Sequence, residues 1–263
     1  MSTSSTVFLM YHELELAGRA LCQSDPGYIR YILPLNQFRT QMGWLKEAGF
    51  RGLSVSEALA CPGGPAVCLT FDDGCETDLM AAAPVLSEFG FHATFYVTAG
   101  FLGTPGYLRA EQLRALDQMG FEIGCHSMTH PYLSDLSEPE LRREIEDAKV
   151  SIEQIVGHPI EHFSCPGGRY DARTLETARR AGFRTVANSQ FHPNRASTNL
   201  YKLGRVAVLR DLPSKEFAAI CRGEGLWKKR LLDRTRQGMR TLVGNRIYDR
   251  LRSAVLSRSA TAE

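Results

Sequence analysis

The sequence predicts an α/β barrel, and three observations carry the prediction. Short apolar runs rich in strand formers alternate with helical patterns along most of the chain. Each predicted helix is followed at once by a glycine, the residue that closes a helix in left-handed backbone. Several predicted strands end in chemistry-bearing residues, as strands of a parallel barrel do at their C-terminal edge. At 263 residues, 43% hydrophobic and 23% charged, the chain can bury one sizeable core, and a barrel of this length commonly stays a single domain.

The strands are read at residues 7–12, 67–72, 92–97, 122–127, 162–166, 184–188 and 205–209, seven in all, which favours a barrel over an open doubly wound sheet. Helices are read between them at 36–48, 78–89, 110–119, 137–156 and 172–181, closed by Gly49, Gly90, Gly120, Gly157 and Gly182. The fourth opens on Ser137-Glu138-Pro139-Glu140, a capping box, and then sets Leu141, Ile145, Ala148, Ile152 and Ile155 on one face. Asp171 is placed to cap the fifth. His92 and His162 fall at strand starts and so at the opposite rim from the expected chemistry.

The formal net charge of +2 hides an asymmetry. Residues 226–263 carry ten Lys or Arg against three acids, while residues 1–225 carry 21 against 26. Within that segment Leu232, Met239, Val243, Ile247, Leu251 and Val255 recur near helical spacing with arginines between them. The division expected is therefore a barrel over 1–225 and a basic amphipathic C-terminal helix over 226–263. Such a helix either docks on the barrel with its basic face in water or makes a peripheral contact with an anionic membrane. Nucleic acid is not an expected partner, because Trp227 and Tyr248 do not form a stacking array.

The first residues, Met1 to Val7, lack a basic segment followed by a long apolar one, so a cytoplasmic location is expected, with the inner face of the membrane as the site of any peripheral contact. The longest stretch without formal charge, residues 89–108, is broken by glycines and Pro105 and suits a strand and loop better than a membrane span. Seven scattered cysteines with no CxxC pair support neither a disulfide framework nor a cysteine zinc site.

Polar groups converge from four strand ends. The first delivers His12, the second Asp72 and Asp73, the fourth His126 and His130, and the fifth Pro166, Gly167 and Gly168. Asp-Asp-Gly read alone is a turn, and His-x-x-x-His read alone is two ordinary histidines. Together they answer each other: adjacent carboxylates need a cation, and two imidazoles need a carboxylate to complete a facial ligand set with open positions.

The stretches Thr70-Phe71-Asp72-Asp73-Gly74 and His126-Ser127-Met128-Thr129-His130-Pro131 resemble the first two motifs of the polysaccharide deacetylases of the NodB-homology class, carbohydrate esterase family four, and the similarity runs from about residue 7 to 210. The resemblance implies a distorted (β/α)7 barrel, with Asp72 as general base and Asp73, His126 and His130 as ligands of a divalent metal. It also shows departures. Ser164-Cys165-Pro166-Gly167-Gly168 stands where the third motif has the arginine that orients the base, so Arg205 at the start of the last strand is the expected substitute. The fourth motif has no match near residues 187–191. The late histidine that acts as general acid is absent from Ala207-Val208-Leu209-Arg210-Asp211. Leu9-Met10-Tyr11-His12 resembles the opening of a subgroup acting on exopolysaccharide amino sugars, in which an early strand-end histidine is the acid, and this makes His12 the candidate; the alternative is that it only packs or hydrogen-bonds.

The chemistry implied is hydrolysis of an N-acetyl amide, whose resonance makes a poor electrophile and a poor leaving group. A metal held by Asp73, His126 and His130 would polarise the carbonyl and acidify water, Asp72 would take the proton, a backbone N–H of the Pro166-Gly167 turn would meet the oxyanion, and His12 would protonate the amine. Zinc is the first expectation, though other divalent first-row ions suit the same ligands. The expected substrate is an N-acetylated amino sugar in a polysaccharide, oligosaccharide or glycolipid. The motif departures motivate two alternatives: a catalytically inactive carbohydrate-binding barrel, or a related hydrolase of another non-peptide C–N bond, such as a deformylase or cyclic amidase.

Overall fold

A computed structural model describes residues 5–60 and 63–225. The expected helix at 226–263, and with it the division at residue 225, lies outside the described residues.

All seven expected strands form. Ser5–Tyr11, Ala66–Asp73, Thr94–Val97, Glu122–Cys125, His162–Ser164 and Thr185–Ala187 lie side by side and parallel in that order. Val206–Ala207 pairs parallel with the other edge of the first strand, Leu9 opposite Val206. The same segment reaches the far end of the sheet, where Leu203 bridges Ala187 and Asn188 N donates to Leu203 O at 2.8 Å. The sheet thus curls until both its ends meet residues 203–207, which gives the barrel the strand pattern predicts, distorted as the family resemblance implies.

Ala66–Asp73 is the axis of the sheet. It runs beside the first strand from Val7↔Val67 to Tyr11↔Phe71. Its other side is shared: a short strand, Arg51–Leu53, pairs with its first half and Thr94–Val97 with its second. With both edges paired and both faces covered, all but its first residue are buried, which is why it reads as an apolar run instead of an alternation. Phe71 stacks between Tyr11 at 5.2 Å and Phe95 at 4.8 Å on the helix-facing side. The alternate side chains, Cys68, Thr70 and Asp72, therefore face the barrel interior.

The helices form where the glycines end them. Gly49, Gly90, Gly120, Gly157 and Gly182 all adopt φ between 66° and 87°. A Cβ at any of the five would meet nothing within 4 Å, so backbone conformation and not space selects glycine there. Ser137 N donates to Glu140 Oε2 at 2.8 Å, completing the expected capping box, and Asp171 accepts from Thr174 N at 2.9 Å. Two helices depart from expectation by a π-turn: Asp78–Ala82 precedes Ala83–Phe89, and Arg143–Asp147 interrupts the fourth between Glu138–Arg142 and Ala148–Val156. Each inserts a residue into the period without a sequence mark.

The short helices Val55–Ala60 and Ser214–Cys221 are additional to the sequence reading. The first closes the end of the barrel away from the motifs: Glu122 accepts from Val55 N at 3.0 Å and from Ser56 N at 3.2 Å. His162 sits at that same end, 2.8 Å from Ser56 Oγ and 2.9 Å from Thr185 Oγ1. It belongs to the closure, and with His92 and Glu122 it borders a cavity of about 460 Å³ remote from the motif residues.

Candidate active site

In a regular strand Asp72 and Asp73 would point to opposite faces. Asp73 instead adopts φ 82° and Gly74 follows at φ 79°, so the chain turns and both carboxylates serve one space at the barrel mouth. A Cβ on Gly74 would lie 3.0 Å from Val97 Cγ1, so this turn admits glycine on grounds of space as well.

The second motif is shaped the same way. Among the described residues, the non-glycine positions with positive φ are Asp73, Ser127 at 71° and His130 at 63°. All three belong to the motifs. The 126–130 loop is held by Ser127 Oγ, which accepts from His130 N at 3.0 Å, and by Gly100 N and Ala99 N, which donate to Met128 O and Ser127 O at 2.8 and 3.0 Å. Gly100 is needed there because a Cβ would fall 2.6 Å from Met128 O. Glu144, carried by the π-turn and buried, accepts from Met128 N at 3.0 Å, Thr129 N at 2.8 Å and Thr129 Oγ1 at 2.6 Å. Nothing in the sequence pattern singles out Glu144, since it lies beside an ordinary core stripe.

These loops bring Asp73, His126 and His130 together. Asp73 Oδ1 lies 3.6 Å from His126 Nε2 and 3.5 Å from His130 Nε2, and the two rings are 5.0 Å apart. Donor atoms around one tetrahedral zinc stand about 3.3 Å apart by the usual bond lengths, so the gap already has nearly the size of an ion. Asp73 Oδ1 is buried without a hydrogen-bond partner, the state a ligand oxygen is left in. His126 Nδ1 is 2.9 Å from Ser164 O. A carbonyl only accepts, so Nδ1 carries the proton and the Nε2 lone pair faces Asp73. Burial lowers the His126 pKa to about 4 against the opposing pull of Asp72 and Asp73, which keeps the ring neutral. The donor set therefore suits a divalent cation.

Asp72 has a different partner. Arg205 places Nη1 2.7 Å from Asp72 Oδ1 and Nη2 2.8 Å from Oδ2, a bidentate pair. The rest of the guanidinium goes to Ser164 Oγ at 2.6 Å, Thr70 Oγ1 at 3.2 Å and Asn188 O at 3.2 Å, and it lies over the Tyr96 ring at 5.3 Å. Fully buried and fully engaged, Arg205 acts on Asp72 and does not face a substrate. Burial alone would raise the Asp72 pKa, but Arg205, with His126 and His12, holds it well below the usual carboxylate range.

His12 ends the first strand, half-buried, with its ring 4.9 Å from Tyr31. Its Nδ1 is buried without a protein partner. Burial lowers its pKa, against Asp73 and Asp72, which raise it. Pro166 and Gly167 form a turn just beyond the strand that supplies Ser164. Gly167 adopts φ 59°, and a Cβ on it would meet Tyr132 Cε1 at 2.9 Å; Gly168 would meet Ser189 Oγ at 2.6 Å. Both glycines thus allow the turn to pack against its neighbours.

Comparison with known proteins agrees with this geometry. Residues 60–186 match the family described as polysaccharide deacetylase. The Bacillus subtilis protein YxkH, which carries the same family name, is 28% identical over 219 residues, 80% of this chain and 74% of that protein. The peptidoglycan-N-acetylglucosamine deacetylase of Bacillus cereus is 33% identical over 121 residues, and the match covers 46% of this chain and 54% of the relative. The chain thus spans only about half the length of that relative. In fold, the Streptococcus pyogenes deacetylase PplD superposes with a TM-score of 0.73 at 23% identity, covering 82% of this chain and 98% of that one.

Proposed function

The chain belongs to the polysaccharide deacetylase family, and we propose that it hydrolyses the N-acetyl group of an amino sugar in a glycan or glycolipid, with a divalent cation, zinc first, held by Asp73, His126 and His130. One observation carries the proposal: the buried, unpartnered Asp73 Oδ1 between two imidazole nitrogens at 3.5 and 3.6 Å, beside a second carboxylate clamped by Arg205.

A cation in that set supplies Lewis acidity toward the amide carbonyl and the attacking water. The chain supplies the rest. Asp72 Oδ2, the oxygen that lies 3.7 Å from His126 Nε2, takes the proton of the water. With its pKa held so low Asp72 is a weak base, suited to a water that is already acidified, and in return it stays unprotonated across the working pH range. Arg205 keeps it ionised and fixes its plane. The Gly167 N–H donates to the developing oxyanion. His12 returns a proton to the departing amine nitrogen. Pro166 rigidifies the turn that presents Gly167.

The test is metal content by elemental analysis together with amine release from a short N-acetylglucosamine oligomer, for the native sequence and for Asp73→Ala. About one equivalent of metal, lost with amine release in the variant, is the expected result. Metal without amine release would move the reading to another acyl group or C–N bond, and no metal under any loading condition would overturn it.

A further inference from the structure

The chemistry above leaves one side-chain cluster unused. Cys75 follows Gly74 out of the central strand and is fully buried. Its Sγ lies 3.6 Å from the Sγ of Cys22, which is carried by the loop after the first strand. Cys22 is only half-buried and is held in register: its N–H donates to Glu13 Oε1 and Oε2 at 3.1 and 3.0 Å, and its thiol donates to Gly106 O at 3.1 Å. Arg19, paired with Glu13 at 2.6 Å, brings Nη2 to 3.8 Å from the Cys22 sulfur. The other described cysteines, Cys68, Cys125, Cys165 and Cys221, are all buried.

We propose that Cys22 and Cys75 form a redox-active dithiol, the site of a reversible disulfide made by a small two-electron oxidant, either a hydroperoxide or a low-molecular-weight disulfide.

The geometry divides the roles. Cys22 is reachable from solvent and has a guanidinium beside its sulfur, the surroundings in which cysteines attack oxidants. Cys75 is shielded from solvent, yet it touches Cys22, so it is placed to resolve the first product. A disulfide is about 2.05 Å long, so the sulfurs, now 3.6 Å apart, must close by about 1.5 Å. With a hydroperoxide, the Cys22 sulfur takes the terminal oxygen, giving a sulfenic acid and releasing an alcohol. The Cys75 sulfur then displaces hydroxide, which leaves as water with the Cys75 proton. With a low-molecular-weight disulfide, Cys22 forms the mixed disulfide and releases one thiol, and Cys75 displaces the second. In both cases two electrons and two thiol hydrogens pass to the oxidant. The link joins the Glu13–Cys22 loop to the turn that aims Asp73, two residues before Cys75.

The experiment uses the full chain in a Cys61→Ser background, because Cys61 lies outside the described residues and could pair between molecules. Folded protein is treated with hydrogen peroxide or oxidised glutathione, then denatured, titrated for thiols and digested without reductant. The expected result is the loss of two thiols per chain and a linked Cys22–Cys75 peptide pair lighter by two hydrogens, both reversed by dithiothreitol. In Cys22→Ser, Cys75 stays reduced at the same dose. In Cys75→Ser, Cys22 stops as a sulfenic acid or a glutathione adduct. If Cys75→Ser does not fold, Cys22→Ser decides alone. A stable adduct on Cys22 with no linked peptide overturns the proposal, as does a link that forms equally well in urea, where the native contact is gone. None of these readouts involves glycan hydrolysis, so this inference and the deacetylase reading fail separately.

Discussion

Replacing Arg205 with methionine removes a charge that the protein has enclosed around Asp72. The guanidinium is 0% exposed and Asp72 only 2% exposed. The two N–H donors at 2.7 and 2.8 Å are lost, and Ser164 Oγ loses its donor at 2.6 Å. Removing one partner of a buried ion pair costs about 3–5 kcal/mol while the other stays charged. Asp72 offsets part of that cost by binding a proton, because burial pushes its pKa up and Arg205 is the strongest of the groups holding it down. The sign follows from linkage. In the native sequence the folded-state pKa is depressed, so the pair contributes stability above the unfolded carboxylate pKa and loses it as pH falls through the lower folded value. In Arg205→Met the folded pKa lies above the unfolded one, so the folded variant gains relative to the unfolded chain as pH falls. The stability deficit of the variant is therefore expected to be about 3 kcal/mol near neutral pH and to shrink toward pH 5. Urea unfolding of both metal-free proteins at several pH values measures it. Amine release by the variant should also acquire an acidic limb from Asp72 that the native sequence lacks. A deficit below about 1 kcal/mol at every pH would refute the argument that this pair carries a buried charge.

Other consequences are as direct. With the His126 pKa lowered to about 4 from 6.5, the unfolded chain binds the proton first, so metal-free protein loses about 3 kcal/mol of stability as pH falls from about 6.5 to 4; a flat urea midpoint across that window would count against a neutral buried His126. Glu144→Gln keeps the size but weakens the anchor of the 126–130 loop, and metal affinity measured by chelator competition should fall about 10–100-fold, with unchanged affinity showing that the loop holds itself. His12→Ala should leave metal content intact and slow amine release about 10²–10⁴-fold, less so for N-acetyl-para-nitroaniline, whose electron-poor nitrogen is a much weaker base and depends less on the acid. Equal losses on both substrates would remove His12 from the acid role.

Much of the fold was legible because its signals are local. The five glycines closing helices mark φ values that other residues avoid, and the central strand is legible because burial on both faces leaves an apolar run ending in two acids. Where the sequence fell short, the cause was distance or a shift of period. Arg205 was reached only through the arginine missing from the third motif, and the structure does set it on Asp72. No spacing rule links it to Asp72, 133 positions away, and it is the curl that sets residues 203–207 against the first strand that puts the guanidinium inside. Glu144 was invisible because the π-turn at Arg143–Asp147 rotates it off the helical count that makes its neighbours a core stripe. The strand Arg51–Leu53 has only three residues, too few for any alternation to register. Gly167 and Gly168 read as turn residues, but what fixes them, the approach of Tyr132 and Ser189, is tertiary.

The three left-handed residues bear on how the site is held. Non-glycine residues in that region cost on the order of 1–2 kcal/mol each, a large share of the stability of an ordinary domain, and Asp73, Ser127 and His130 carry this cost together. The bonds that hold them come from the protein itself: Glu144 and Ser127 Oγ on the histidine loop, and on the aspartate turn Thr98 N to Asp73 O at 3.3 Å and Leu108 N to Gly74 O at 2.9 Å. If the cation had to impose the strain, its affinity would be reduced by that energy. Because hydrogen bonds within the chain impose it, Asp73 Oδ1 already stands 3.5 to 3.6 Å from both imidazole nitrogens, and binding energy is left to act on the substrate's amide.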